Sequence, residues 1–284
     1  MRARERRVTR PHVLLPEGAH AHPLGGRRIV LTRPLTQSGD FEEHITALGG
    51  EPILAPAIEI VAPESWTIAD AALRRVGTYD WLAFTSANAV RMLVDRADAI
   101  GVTRDHLRSR RLAVVGPATA SVVRSSMRPP DFVPSVHTAE VLGEEFVDVA
   151  NARILLPRGN LADDTLPATL RERGGFVDEI VVYRTVPGPG IPDIAAGVRE
   201  SAIHAVLFAS ASAVRFVADA FAADTATTGL SRQRWPVAAC LGPVTASAAR
   251  ACGFQSVIVG DDTTQNDLID AVARWFATET EGGD

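Results

Sequence analysis

The sequence predicts an α/β protein of two similar domains, each a parallel β-sheet flanked by helices, with a ligand cleft between them. Three observations point there. Short runs rich in Val, Ile, Leu and Ala recur along the chain and end in small or turn residues. Continuous apolar runs of that length suit strands buried on both faces of a parallel sheet. Each run is followed by a helical pattern, as where Val90, Leu93, Val94 and Ala97 fall at i, i+3, i+4 and i+7. Finally, "LAFTSANAVRMLVD" from Leu82 returns as "VLFASASAVRFVAD" from Val206.

Taken in order, the first run, "RRIVLTRP" (27–34), matches "ARILLPRG" (152–159), 125 positions on. The next pair sets Phe84 against Phe208, 124 apart. "AVVGPATAS" and "AACLGPVTAS" set Gly116 against Gly242, and "HTAEVLGEEF" and "TTQNDLIDAV" set Thr138 against Thr264, both 126 apart. Four segments in one order at nearly constant separation make a duplicated unit of about 125 residues. Strand, tight turn and helix in alternation, twice, give the two α/β domains.

The turns carry the functional signal. In an open parallel sheet, ligands bind beyond the carboxyl ends of the strands. There the next helix presents unpaired N–H groups and a partial positive charge. "TRP", "TSAN", "GPAT", "PRG", "SAS" and "GPVT" supply small residues, among them Gly159 and Gly242, that let a ligand approach the backbone. Ser and Thr in the same turns cap helices and add hydroxyl donors. Such caps are common in α/β proteins, and a single turn means little. The whole set predicts a ligand bearing many anionic groups.

Composition narrows the chemistry. All 29 basic residues among the 284 are arginine, which excludes a P-loop lysine and a lysine Schiff base. Arginine suits bidentate capture of carboxylates. The net charge of −5 offers no field for nucleic acid. Apolar runs are far shorter than the roughly 18 residues of a membrane span. Cys240, in the apolar run "VAAC", reads as a buried thiol of a reducing compartment, so the expected location is the cytoplasm. No metal-ligand spacing is present, and no cofactor is expected. No G-x-G-x-x-G follows a strand and no G-x-S-x-G occurs. His44, His106, His137 and His204 stand singly, as surface or capping residues, while Asp163 and Asp164 read as first-turn residues of a helix. Residues 1–25, basic and then Pro/Gly/His-rich, read as a mobile extension.

The series "VLTRP", "LGGEPILAPAIEI", "YDWLAFTSANAV", "LAVVGPATA", "ILLPRGNLADDTLPATLRERGGFVDEIVVYRTV", "VLFASASAV" and "AACLGPVTASA" resembles the uroporphyrinogen-III synthase family over roughly Arg27 to Phe276. The resemblance implies discontinuous domains: 26–56 plus 184–278 as domain one and 57–183 as domain two. They would be joined by a two-stranded linker near "APAIEI" and "VVYRTV", with 279–284 as a tail. It implies a cyclising lyase without cofactor or metal. The substrate would be hydroxymethylbilane, a linear octacarboxylate, closed to uroporphyrinogen III with inversion of the last ring and loss of water. Tyr183 would assist departure of the hydroxyl, since a phenol carries its proton at neutral pH. Thr119 and Thr245 would donate to carboxylates, as would Ser86, Ser210 and Ser212. Asn88 stands where some relatives carry a basic residue and would offer substrate a neutral hydrogen bond, and Arg33 and Arg158, which end equivalent strands, would pair substrate carboxylates. Arg91 and Arg215 also recur, on what reads as helix surface. Family analogy implies a monomer, with transient hand-over from hydroxymethylbilane synthase and no nucleic-acid or membrane partner. A non-catalytic tetrapyrrole- or polycarboxylate-binding protein on the same scaffold is the alternative. Appended DNA-binding domains occur in some relatives, and this chain is expected to carry none. A generic sugar-binding protein fits less well, because aromatic content is 6%.

Overall fold

A computed structural model describes residues 22–32, 39–228, 235–260 and 264–281. Arg33 lies outside the described residues, as do residues 1–21 of the expected extension. The chain divides into two compact units, one formed by the described residues up to Ile58 and from Pro187 onward, the other by Glu59–Val186.

The discontinuous unit opens with β1 (Arg28–Leu31), α1 (Gly39–Ala47) and β2 (Glu51–Leu54). After Pro187 it adds α8 (Ile191–Arg199), β8 (Ala205–Phe208), α9 (Ala211–Thr228), β9 (Val237–Cys240), α10 (Pro243–Cys252), β10 (Val257–Val259) and α11 (Gln265–Glu281). Its sheet runs β10-β9-β8-β1-β2 with every pair parallel, Val30 lying between Val206 and Ile53. Both faces are buried. Val30, Val206, Phe208 and Cys240 pack with Ile194, Val214 and Phe221 of α8 and α9. Their alternates Ile29, Leu31, Leu207 and Ala239 pack with Phe41, Ile45, Leu268 and Val272 of α1 and α11. Period-two alternation between two dry faces is why the strands read as unbroken apolar runs.

The continuous unit holds β3 (Ile58–Val61), α2 (Thr67–Arg74), β4 (Trp81–Phe84), α3 (Ala87–Ala99), α4 (Arg104–Arg108), β5 (Arg111–Val114) and α5 (Pro117–Ser126). There follow α6 (Ala139–Glu145), β6 (Arg153–Gly159), α7 (Thr165–Glu172) and β7 (Phe176–Pro187). The sheet order is β3-β7-β6-β4-β5, with β7, β6, β4 and β5 mutually parallel. One face packs Leu82, Phe84, Leu112, Ile180 and Val182 against Val90 and Leu93 of α3. The other packs Trp81, Ile154, Leu156 and Val177 against Phe146 and Leu170.

The repeat is therefore interleaved in pairing. β1, from the first copy, pairs with β8 from the second, and β4, from the first, pairs with β6 from the second. Two ends of the chain differ from the sequence expectation. Leu24 is fully buried with Ile29 and Ile45, and its amide donates to the Leu48 carbonyl at 3.0 Å, so 22–25 belong to the fold. At the other end α11 continues to Glu281, because its apolar stripe of Leu268, Val272 and Phe276 carries the helix past the first turns.

Candidate functional site

Each helix that follows a central strand begins at the carboxyl edge of its sheet. In the continuous unit, Ser86 lies two residues past β4 and caps α3. Its Oγ accepts from the amides of Asn88 at 3.1 Å and Ala89 at 3.4 Å. Gly116 is the N-cap of α5 and gives it no side-chain acceptor; Pro117 opens the helix. The first amides there are left for a ligand or water. Thr119, third residue of α5, is 5% exposed. His137 lies against Gly116, where an added Cβ would stand 3.1 Å from the His137 Cβ.

The discontinuous unit repeats the arrangement. Ser210 Oγ accepts from the Ala213 amide at 3.3 Å at the start of α9. Ser212 is half-buried in the first turn. Gly242 is the N-cap of α10, again without a side-chain acceptor and again followed by Pro243. A Cβ built on Gly242 meets nothing within 4 Å among the described residues, so this turn is open. Thr245 is 7% exposed at the position equivalent to Thr119. Leu31, Thr32, Phe41, Leu207 and Leu241 line a small apolar hollow at the same sheet edge. Thr32 Oγ donates to the Leu207 carbonyl at 2.6 Å and is not available to a ligand.

Tyr183 is on β7, directly opposite Gly159 on β6. Its hydroxyl donates to Ser86 Oγ at 3.2 Å, so the phenol sits at the N-terminus of α3. The Asn160 amide donates to the Tyr183 carbonyl at 3.2 Å, and Asn160 Oδ1 accepts from the Thr185 amide at 2.8 Å. Tyr183, Ser86, Gly159 and Asn160 thus meet at one strand end.

Other sequence candidates have side chains engaged by neighbouring residues. Arg158 points into the protein, with its side chain 9% exposed. One terminal nitrogen donates to Asp164 at 3.1 Å and to Glu179; the other donates to the carbonyls of Ala162 and Asp163. Both terminal nitrogens are engaged within the fold, where the sequence reading offered them to a carboxylate. Asn88 Oδ1 accepts from Arg91 at 3.2 Å on an exposed surface. Asp163 and Asp164 precede α7 and are not within its first turn. The amide of Thr165 donates to Asp163 and holds that carboxyl below its usual range. Burial pushes the Cys240 thiol up to about 12, so it is inert as a nucleophile. Asn160 escaped the sequence reading, and His137, read there as a surface or capping residue, lies against the Gly116 turn. Asn160 follows "PRG" directly, and its position after a strand-ending glycine was the signal available.

Among the described residues no group of three or more His, Cys, Asp or Glu is placed to hold a metal ion. Nor, among them, is any helix long and apolar enough to cross a membrane.

A family model described as uroporphyrinogen-III synthase HemD matches residues 39–270. The chain belongs to the uroporphyrinogen-III synthase family. It is 29% identical over 261 residues to uroporphyrinogen-III synthase of Synechococcus elongatus, covering 91% of this chain and 98% of that one. It is 28% identical over 257 residues to porphyrin biosynthesis protein HemD of Ruminiclostridium josui, covering 87% of this chain but 48% of that longer protein. In fold it is similar to a mutant uroporphyrinogen III synthase of Thermus thermophilus. The TM-score is 0.65 at 21% identity, over 89% of this chain and 99% of that one. The synthase family is thus joined to a fold in which strand-end turns hold the candidate residues Ser86, Thr119, Ser210 and Thr245.

Proposed function

We propose that this protein converts hydroxymethylbilane to uroporphyrinogen III with loss of water and inversion of the last pyrrole ring. Membership of the synthase family over 39–270 carries the reading. The turns at Gly116, Gly242, Ser86 and Ser210 hold substrate carboxylates, each with amides at a helix start. The hydroxyls of Thr119 and Thr245 add donors, and Ser212 lies in the same turn as the Ser210 cap. Tyr183 donates its phenolic proton to the departing hydroxyl, which leaves as water. The pyrroles supply the electron push, and bound carboxylates keep the chain in the conformation from which the inverted ring closes. Arg158 acts by holding the loop that follows β6, not by meeting substrate.

The protein works as a cytoplasmic monomer that receives its substrate from hydroxymethylbilane synthase by transient contact. The decisive experiment adds this protein to a coupled assay that generates hydroxymethylbilane. A shift from the spontaneous isomer I to isomer III is expected; an unchanged ratio overturns the reading. Tight binding of uroporphyrinogen III in calorimetry with no such shift would instead mark a binding protein. Sedimentation as a stable dimer would overturn the monomer.

A further inference from the structure

We propose that Gly159 is a positioning residue: with the bulge beside it, it lets the Tyr183 ring lie against the β6 backbone and sets the phenol on Ser86. The kinetic consequence rests on the synthase reading; the geometry does not.

Along β7, Ile180 and Val182 face the core shared with α3, whereas Val177 faces the opposite core. Alternation sends an odd-numbered side chain with Val177. Tyr183 nevertheless packs with Ile180 and Val182. The register explains why. Arg158 pairs with Val181, but Gly159 pairs with Tyr183, so Val182 is an extra residue and the strand carries a bulge. A bulge re-aims the side chain that follows it. Here it turns Tyr183 onto the face that carries the N-terminus of α3, and the hydroxyl reaches Ser86.

Position 159 then has no room for a side chain. A Cβ built there would stand 2.5 Å from Tyr183 Cζ, 2.6 Å from Cε2 and 2.8 Å from the hydroxyl oxygen. Gly159 is not among the glycines with positive φ, so the need is for space and not for backbone freedom. The hydrogen bonds of Asn160 to Tyr183 and Thr185 hold the two strands at this spacing, so the backbone does not yield easily. An alanine must push the ring away from Ser86, and a displacement near 1 Å in a reacting group costs up to about a hundredfold in rate.

The test uses the full chain with 3-fluorotyrosine in place of tyrosine. Its two tyrosines, Tyr79 and Tyr183, give two fluorine resonances, assigned with Tyr183→Phe. Gly159→Ala is expected to move the Tyr183 resonance and leave that of Tyr79. It should lower kcat about 10- to 100-fold with KM within about twofold. On a Tyr183→Phe background, Gly159→Ala should cost less than about twofold more. If Gly159→Ala folds poorly, Gly159→Ala/Tyr183→Ala should melt with Tyr183→Ala, because the ring that clashes is gone. An unmoved Tyr183 resonance with unchanged kcat overturns the proposal. So does an equal fall in Tm with and without the ring. If the wild type makes no isomer III, the function falls, and the resonance and melting arms still decide the role of Gly159.

Discussion

In one unit the strands run β9-β8-β1-β2; in the other the equivalent strands run β5-β4-β6-β7 in the same order. Both units set a Ser cap after one strand and a Gly-Pro start after the next, with a buried Thr in the third position of that helix. They part company at the third strand. β1 is four residues long and is followed by Thr32, whose hydroxyl is tied to the Leu207 carbonyl. β6 is seven residues long, meets the bulge of β7 at Gly159 and faces a tyrosine. The anion-friendly turns were duplicated, and the phenol exists in one copy. Under the proposed function the repeated turns would serve binding of a polyacid, and the single phenol would serve proton donation to one leaving group.

This contrast can be broken at several points, and the largest effect is expected at Arg158. Arg158→Met takes their donor from the carbonyls of Ala162 and Asp163 and one of two arginines from Glu179, which keeps Arg171, and should cost about 3 kcal/mol, as leaving buried acceptors unsatisfied does. Denaturant unfolding checks it; a raised KM with unchanged stability would make Arg158 a substrate ligand after all. Next comes Tyr183→Phe, expected to slow turnover roughly a hundredfold with little change in Tm. Full activity in that variant would remove the asymmetry between the units.

Thr119→Val and Thr245→Val test the shared part. Each removes one hydroxyl at nearly constant volume and should raise KM about 5- to 10-fold, in line with one lost hydrogen bond of ordinary net strength. A large effect in one unit alone would show that the duplicated turns have diverged in use. A smaller effect is expected at Tyr79, which is 1% exposed and donates to Asp178 at 2.6 Å. That hydrogen bond, with Arg75 beside it, holds the Asp178 carboxyl below its usual range. A depressed carboxyl contributes stability that is present above about pH 4 and lost as pH falls through its folded value. Tyr79→Phe should therefore cost roughly 1 kcal/mol at neutral pH, Asp178 being partly solvated, and flatten the acid limb of a stability profile. An unchanged acid limb would show that the contact does not contribute.

The smallest effect belongs to the unit without the phenol. Burial and the nearby Arg27 hold His204 below its usual value, and its Nδ1 accepts from the Arg28 amide. Its contribution is present above about pH 6.5 and lost as pH falls through the folded value. The urea midpoint should fall across that window, and His204→Gln, which keeps an acceptor, should flatten the fall. A midpoint equally steep in that variant would assign the slope to other groups.

Much of this was legible along the chain. Apolar runs with both faces dry announced parallel strands, and Ser86, Gly116, Ser210 and Gly242 stood in turns that the fold places at helix starts. The contacts of Arg158 were not legible, because a strand-ending arginine looks the same in sequence whether its guanidinium meets solvent or the loop four to six residues on. Asn160 was silent, since its partners at 183 and 185 are remote in sequence. Leu24 was passed over in a run of Pro, Gly and His, and its burial depends on Ile29 of β1 and Ile45 of α1.

By itself the sequence determined the parallel α/β class, the duplication and the helix-start turns, because these follow from local periodicity and from residues that act within one turn of themselves. The tertiary structure alone decided that Arg158 is held inside and that Tyr183 lies on Gly159 and Ser86. Both depend on which strand lies beside which and on a one-residue change of register, and no local pattern encodes either.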